Sequence, residues 1–462
     1  MQDSAVLLPD SQRPVQSWFD DLPPTVVGSG LVPDTSSASA VEPTTDETPK
    51  WDLLLTCVAA YIFISVGRIH QLFPVLEVIH PALLAGLLGV VLSLSDTKPE
   101  RRLRHLNIPT TKILAALTVW MILCVPGALR ISTSFSVVFD NFLKTALMYA
   151  VMASCVRRTI DVERLALVYL SSAVLYTIVV MMRFDLGNGN DWRLGRLYYY
   201  DANDFATYVV TAMPFGVYFA HASKRLMGRM IAAGSLVVLT LGFVRSGSRG
   251  GFIALAAVSV FIVARYSAIQ LRWRLSAAAL VVLVLFATAS DQYWQQMGTI
   301  LSDTDYNRTQ ESGRLQIWSR GLGYMLDNPL FGVGPGNFQA AEGTLSVFAE
   351  RQQYGVGVRW SAPHDVFVQA GAEMGIPGLM LFVALLASAF NALRRSRDDQ
   401  SIAPDMRAAQ LTPAVMASLL GFVVGSIFLS LAYAEMLYTL IALAIGLCKI
   451  TALQADEWEQ AA

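Results

Sequence analysis

The sequence predicts an all-α polytopic membrane protein of about twelve transmembrane helices, with one long extramembrane loop that contains short helices. Three observations predict this. The 462 residues are 54% hydrophobic and the mean hydropathy is +0.48. Only 15% of residues are charged, against about 25% in soluble domains. Apolar runs of about 17 to 25 residues, the length that crosses the hydrocarbon as a helix, recur along the chain.

Residues 1–50 come first and differ in kind. They are rich in Ser, Thr, Pro and acids, with only Arg13 and Lys50 basic. Such a stretch buries too little apolar surface to fold alone and reads as a disordered acidic tail. It lacks the basic start and early apolar core of a secretory signal, so the first span is expected to stay in the protein. Spans one to nine fall in 51–289, near 51–67, 75–95, 112–129, 135–156, 162–183, 205–221, 229–244, 251–266 and 273–289. A polar segment, 290–365, interrupts the array. Spans ten to twelve follow near 366–391, 411–432 and 435–453, and 454–462 close the chain as a short tail.

Lysines and arginines set the orientation, because basic residues collect in cytoplasmic loops. Alternate loops hold 18 of them, from Lys98 through Arg407, and the opposite short loops hold 7: Arg68, Arg130, Arg183, Arg193, Arg196, Arg245 and Arg249. Both termini are therefore expected in the cytoplasm, with the 290–365 loop facing outward. Irregular backbone is tolerated only outside the hydrocarbon or around a protected cavity, so this loop is the expected seat of chemistry.

Several chemistries find no support. The cysteines (Cys57, Cys124, Cys155 and Cys448) lie singly in apolar spans, without disulfide or zinc spacing. The glycines of Asn328–Asn337 lack a βαβ setting and a following Lys-Ser/Thr, so they read as a rigid turn over the bundle rather than a nucleotide loop. Asp201, Asn203 and Asp204, or Asp303 and Asp305, make no recognisable metal loop. Asn203 and Asp204 instead read as caps for a helix starting at Phe205. Asp140 and Lys144, four apart, are expected to pair on one helical face. Such sparse intramembrane charge argues against an ion-coupled transporter.

Three outward segments carry the candidates. The first is Asp191-Trp192-Arg193-Leu194-Gly195-Arg196 with the aromatic and acidic run Tyr198 to Asp204. The second, Arg245-Ser246-Gly247-Ser248-Arg249-Gly250-Gly251, links two spans. Its glycines would let backbone N–H groups approach an anion, beside a partly positive helix start expected at Phe252. The third is the long loop, with Arg308, Arg314, Trp318, Arg320, Arg351, Arg359, Trp360 and finally His364-Asp365. Arginine forks suit phosphate oxygens at any working pH. A neutral His364 imidazole could take a proton from a sugar hydroxyl; Asp365 could orient that ring or favour the first helical turn.

Together these residues resemble the bacterial O-antigen ligase/polymerase superfamily. The stretches that carry the resemblance are Ser246–Gly251, then Gly313–Trp318 running on to Asp327–Phe338, then His364 leading to Glu373-Met374-Gly375-Ile376-Pro377-Gly378. The ligases have a His followed by Asn, Ser or Gln, nine residues, and Gly-x-x-Gly; His364, Gly375 and Gly378 fit, while Asp365 departs. The resemblance covers about 190–450. It implies a C-type glycosyltransferase-like architecture at the inner membrane, acting on the periplasmic side without nucleotide sugar, metal or cofactor. The donor would be an undecaprenyl-diphosphate-linked glycan, and the acceptor lipid A-core or another glycan. Membrane lipids are the remaining partners, with no nucleic acid. By the same likeness His364, Arg249 and Arg314 would be catalytic, with Arg245, Arg196, Arg193, Asp365 and Trp318 binding substrate. An O-antigen ligase is the leading reading, followed by a polymerase and a protein O-oligosaccharyltransferase. A lipid-linked glycan flippase is the alternative of another class.

Overall fold

The computed structural model describes residues 50–183, 193–194, 200–302, 307, 310, 313–349, 361–402 and 405–461. Among these, helices fill each apolar segment and no strand occurs. Seven helices are long and apolar enough to cross a membrane, and an eighth arises if Pro99–Leu106 and Pro109–Cys124, bent by 59°, make one span. Leu53–Val66 and Pro81–Ser95 are shorter apolar helices. The chain is thus a polytopic α-helical membrane protein. The tail expected over 1–50 lies outside the described residues apart from Lys50. The last helix, Glu435–Ala461, runs on through 454–461.

Burial orders the helices. Glu435–Gln460 is the centre, with 89% of its apolar window buried, followed by Met406–Ser426 at 61%. Leu271–Thr288, at 6%, lies at the rim. Lipid offers apolar side chains no incentive to leave it, so close packing and hydrogen bonds must hold such a bundle. Gly425 faces Thr207 and Gly421 faces Val258 so closely that an added Cβ would stand 2.6 and 2.9 Å from them. Hydroxyl pairs add to this: Tyr169 with Thr211 and Ser172 with Tyr208, each at 2.7 Å and fully buried. At one end, Asp52 accepts ion pairs from Lys98, Arg101 and Arg157, and Asp161 from Arg157 and Arg164. Part of the basic loop charge is thereby locked to carboxylates.

Three local expectations are corrected. Asp140 and Lys144 form no ion pair, because the π-helical stretch Ser136–Phe142 ends between them and changes the phase of the helix. The helix expected from Phe205 begins at Ala202, and Asp201 is its N-cap, accepting from Asn203 N and Asp204 N at 2.6 and 2.8 Å; Asp204, one of the two expected caps, closes a capping box by accepting from Asp201 N at 3.4 Å. The span expected over 411–432 ends at Ser426, leaving 427–434 as a link that reappears below.

The helix Val366–Ile402 is broken at Gly375 (φ 69°, ψ −173°). The Gly/Pro turn seats against this break: Val333 N donates to Ala372 O, Gly334 N to Glu373 O and Ile376 N to Pro329 O, at 2.8 to 3.0 Å. Here the turn does lie on the bundle, as a rigid plug with Gly332, Gly334 and Gly336 all at positive φ. An Ala at 375 would adopt an unfavourable φ and overlap the Leu330 carbonyl. Gly375→Ala should therefore destabilise the fold by at least about 2 kcal/mol, read as a lowered melting temperature in detergent micelles.

Candidate functional site

The link between two helices decides where the first arginine stands. Leu226–Ser246 ends on Gly247 in the left-handed conformation (φ 58°), and Ser248 caps the next helix, its Oγ accepting from Gly251 N at 3.1 Å. That helix starts at Arg249 rather than at Phe252, which corrects the expected start and puts the arginine in the first turn. The glycines are packing contacts here: an added Cβ on Gly250 would meet Phe428 at 2.9 Å, and one on Gly251 would meet Ala206 at 2.8 Å. Arg249 Nη1 donates to Thr299 Oγ1 at 2.7 Å, tying the bundle to the 290–365 segment.

That segment carries short helices, among them Asp291–Gly298, Arg314–Asp327 and Phe338–Thr344. Arg314 opens its helix, with its guanidinium 5.9 Å from the Phe428 ring centroid. Trp318, one turn later, lies 6.5 Å from the same ring. Arg249, Arg314 and Trp318 thus share one cavity of about 350 Å³, with Thr299 and Phe428 in its wall. Two guanidiniums and two helix N-termini converge on it, an arrangement suited to an anion with several oxygens. The buried Trp318 Nε1 makes no hydrogen bond among the described residues.

His364 is outside that cavity's lining but linked to it. The 427–434 link supplies Phe428 to the cavity and Ser430 to the histidine, whose backbone N–H donates to Ser430 Oγ at 3.0 Å. His364 sits in the left-handed region (φ 47°), uncommon for a non-glycine residue. Burial pushes its imidazole below the usual value, the Arg314 charge lowers it further, and Asp201 offsets part of this. Asp365 settles on the second of its expected roles: its Oδ1 caps the following helix through Phe367 N and Val368 N at 2.7 and 2.8 Å.

The remaining candidates divide. Arg193 is a strut, donating to Ser246 O at 2.7 Å and to Asn203 Oδ1 at 2.9 Å. Arg245 is exposed, and its carbonyl accepts from Leu194 N at 2.8 Å. Arg196, Arg308, Arg351, Arg359, Trp360, Asp303 and Asp305 lie outside the described residues. Arg320 is taken by Glu342 at 2.7 Å, a buried pair inside the segment. Among the described residues no three His, Cys, Asp or Glu side chains gather as a metal-binding group.

One residue of the resemblance gains a defined position. Glu373, buried beside the helix break, accepts from Gly336 N at 2.9 Å, Phe338 N at 3.3 Å and Tyr433 OH at 2.7 Å. It joins the turn to the 427–434 link, and so to the residues that hold Arg314 and His364. An acid isolated in an apolar span was the signal for it; nothing in the sequence singles out Phe428, Ser430 or Tyr433.

Residues 234–383 match the O-antigen ligase family model. The match supports an O-antigen ligase-related domain over these residues. It takes in Arg245, Arg249, Arg314, Trp318, His364, Asp365 and Glu373, and leaves Arg193 and Arg196 outside. An O-antigen ligase domain implies a glycosyltransferase-type enzyme that works with a lipid-linked glycan and an acceptor. No curated protein matches the chain.

Proposed function

We propose that the protein is an inverting, metal-independent membrane glycosyltransferase. It moves a glycan from an undecaprenyl-diphosphate carrier to an acceptor hydroxyl at the periplasmic face of the bacterial inner membrane. The acceptor is lipid A-core, as for an O-antigen ligase. The observation that carries this reading is Arg249 and Arg314, distant in sequence, sharing one cavity with each at a helix start. The bundle crosses the membrane about twelve times, with both termini cytoplasmic and the 290–365 segment periplasmic.

In the reaction the acceptor oxygen attacks the anomeric carbon, the bond from that carbon to the diphosphate oxygen breaks, and the configuration inverts. The charge that grows on the leaving diphosphate falls to Arg249 and Arg314, which supply the positive field a metal would otherwise give. Trp318 offers an apolar face beside them. His364 takes the acceptor proton. Its lowered pKa keeps the imidazole neutral at pH 7, the form able to accept a proton.

Activity should therefore fall only as pH drops through the His364 pKa, below about 6.5. Arg314→Gln removes a charge that lowers this pKa, so the acid limb of the residual kcat/KM should move to higher pH. A limb that stays in place in Arg314→Gln would separate the two residues. The whole reading is tested by disrupting the gene and examining surface glycan. Uncapped lipid A-core is the expected result. Core bearing a single repeat would make the protein a polymerase, and unchanged surface glycan would overturn the reading.

A further inference from the structure

A second cavity, of about 650 Å³, opens beside Glu435, at the start of the last helix and directly after the 427–434 link. Its walls include Asp140 and Lys144, both exposed on Ile131–Cys155, one of the helices able to cross a membrane. Neither side chain makes a hydrogen bond or ion pair among the described residues. At 1.5 Å per residue they stand roughly 13 and 20 Å from the Ile131 end of this helix, too deep for both to reach water by stretching along the surface. Charges at that depth need polar partners.

The rest of the cavity indicates what supplies them. Leu83, Leu87 and Leu147 line it and are 54%, 60% and 49% exposed, a surface for hydrocarbon chains. Pro81–Ser95, which forms one wall, has 15 residues, fewer than the roughly 20 a full crossing takes, so headgroups must dip beside it. Both π-helical stretches among the described residues, Ile62–Val66 and Ser136–Phe142, border the space through Ser65 and Asp140. Such bulges recur at functional sites. Glu435 is already engaged, by Ser65 Oγ and by Arg68 at 4.0 Å. Beside the imidazoles of His70 and His80 and the Asn141 amide, the charged groups that remain are one carboxylate and one ammonium a helical turn apart, the complement of a zwitterion.

We propose that this cavity is a binding site for an amine-bearing zwitterionic glycerophospholipid. The lipid phosphate meets Lys144 and the lipid ammonium meets Asp140, with the acyl chains along Leu83, Leu87 and Leu147. An anionic headgroup without an amine would satisfy Lys144 and leave Asp140 facing like charge. The site is separate from the arginine cavity and does not depend on which glycan is transferred.

The test uses the full chain in mild detergent, offered equimolar ethanolamine and glycerol phospholipids, with bound lipid counted by native mass spectrometry. The ethanolamine lipid should be retained over the glycerol lipid by about tenfold. Lys144→Ala and Asp140→Asn should each abolish that preference, while Lys144→Arg keeps it. Equal retention of both lipids by the unaltered protein, or an unchanged preference in both Lys144→Ala and Asp140→Asn, would overturn the proposal. Glycan transfer is read in parallel. Its loss in Lys144→Ala with ethanolamine-lipid retention intact would make the cavity a substrate site, and so would also overturn it.

Discussion

Arg249→Ala should reduce glycan transfer by about 10³-fold or more while the protein still inserts and folds. A guanidinium that stabilises charge on a departing phosphoryl oxygen is worth roughly that much in other phosphate chemistry. Arg249 is placed for the task by its neighbours: a Gly247 turn, a Ser248 cap and the Thr299 hydroxyl fix it in the first turn of its helix. Losing its hydrogen bond to Thr299 should cost stability only about 1 kcal/mol. Expression, detergent extraction and helical content should therefore remain near those of the unaltered protein. Arg249→Lys keeps the charge and loses the planar fork, so it should recover only part of the rate. The measurement is transfer of lipid-linked glycan to acceptor by purified protein. Normal transfer by Arg249→Ala would remove this residue from the diphosphate site.

His364→Ala should cost about 10²-fold or more in the rate of transfer at saturating acceptor. The substitution needs a control, because position 364 has φ 47°. Alanine there adds backbone strain of about 1 kcal/mol or more, whereas asparagine tolerates the left-handed region. His364→Asn should fold as the unaltered protein does and lose a comparable factor in kcat, because an amide cannot take a proton at neutral pH. A rise in acceptor KM with kcat unchanged in His364→Asn would assign the residue to acceptor binding instead. The Ser430 hydroxyl receives the backbone N–H of His364, not its ring. It should therefore persist in either variant and keep the chain entering the helix in place.

The extent to which the site could be read from the sequence differs residue by residue. His364 and the glycines at 375 and 378 follow from spacing, because a histidine at the end of a polar segment and glycines in an apolar run both contradict their surroundings. Arg249 and Arg314 also stand out, each beside a glycine in a stretch that carries the resemblance. Arg193 stands out equally, and its hydrogen bonds to Ser246 O and Asn203 Oδ1 come only from the structure. Asp365 looks like a partner for the histidine and spends its Oδ1 on the helix start. A side chain's type announces that it needs a partner but not which atoms will meet the need.

Phe428, Ser430 and Tyr433 mark the other limit. They occupy a link that the apolar pattern hides inside an expected span, yet they contact Arg314, His364 and Glu373 respectively. Asp140 and Lys144 fail as a predicted pair for a related reason. The i, i+4 rule assumes an unbroken α-helix, and a π-helical stretch ends between them.

By itself the sequence determined that the chain is helical and membrane-embedded, where its apolar segments lie, and which polar residues stand out. Those properties follow from the transfer of each segment between water and hydrocarbon, which depends on local composition alone. Only the tertiary structure decided that Arg249 meets Arg314 in one cavity, that Glu373 ties the Gly/Pro turn to the 427–434 link, and that Arg193 reaches Ser246 and Asn203. Those outcomes depend on which helices pack together. Contacts between distant segments are set by the shapes of whole helices and the glycines that let them approach, information that no single stretch of sequence contains.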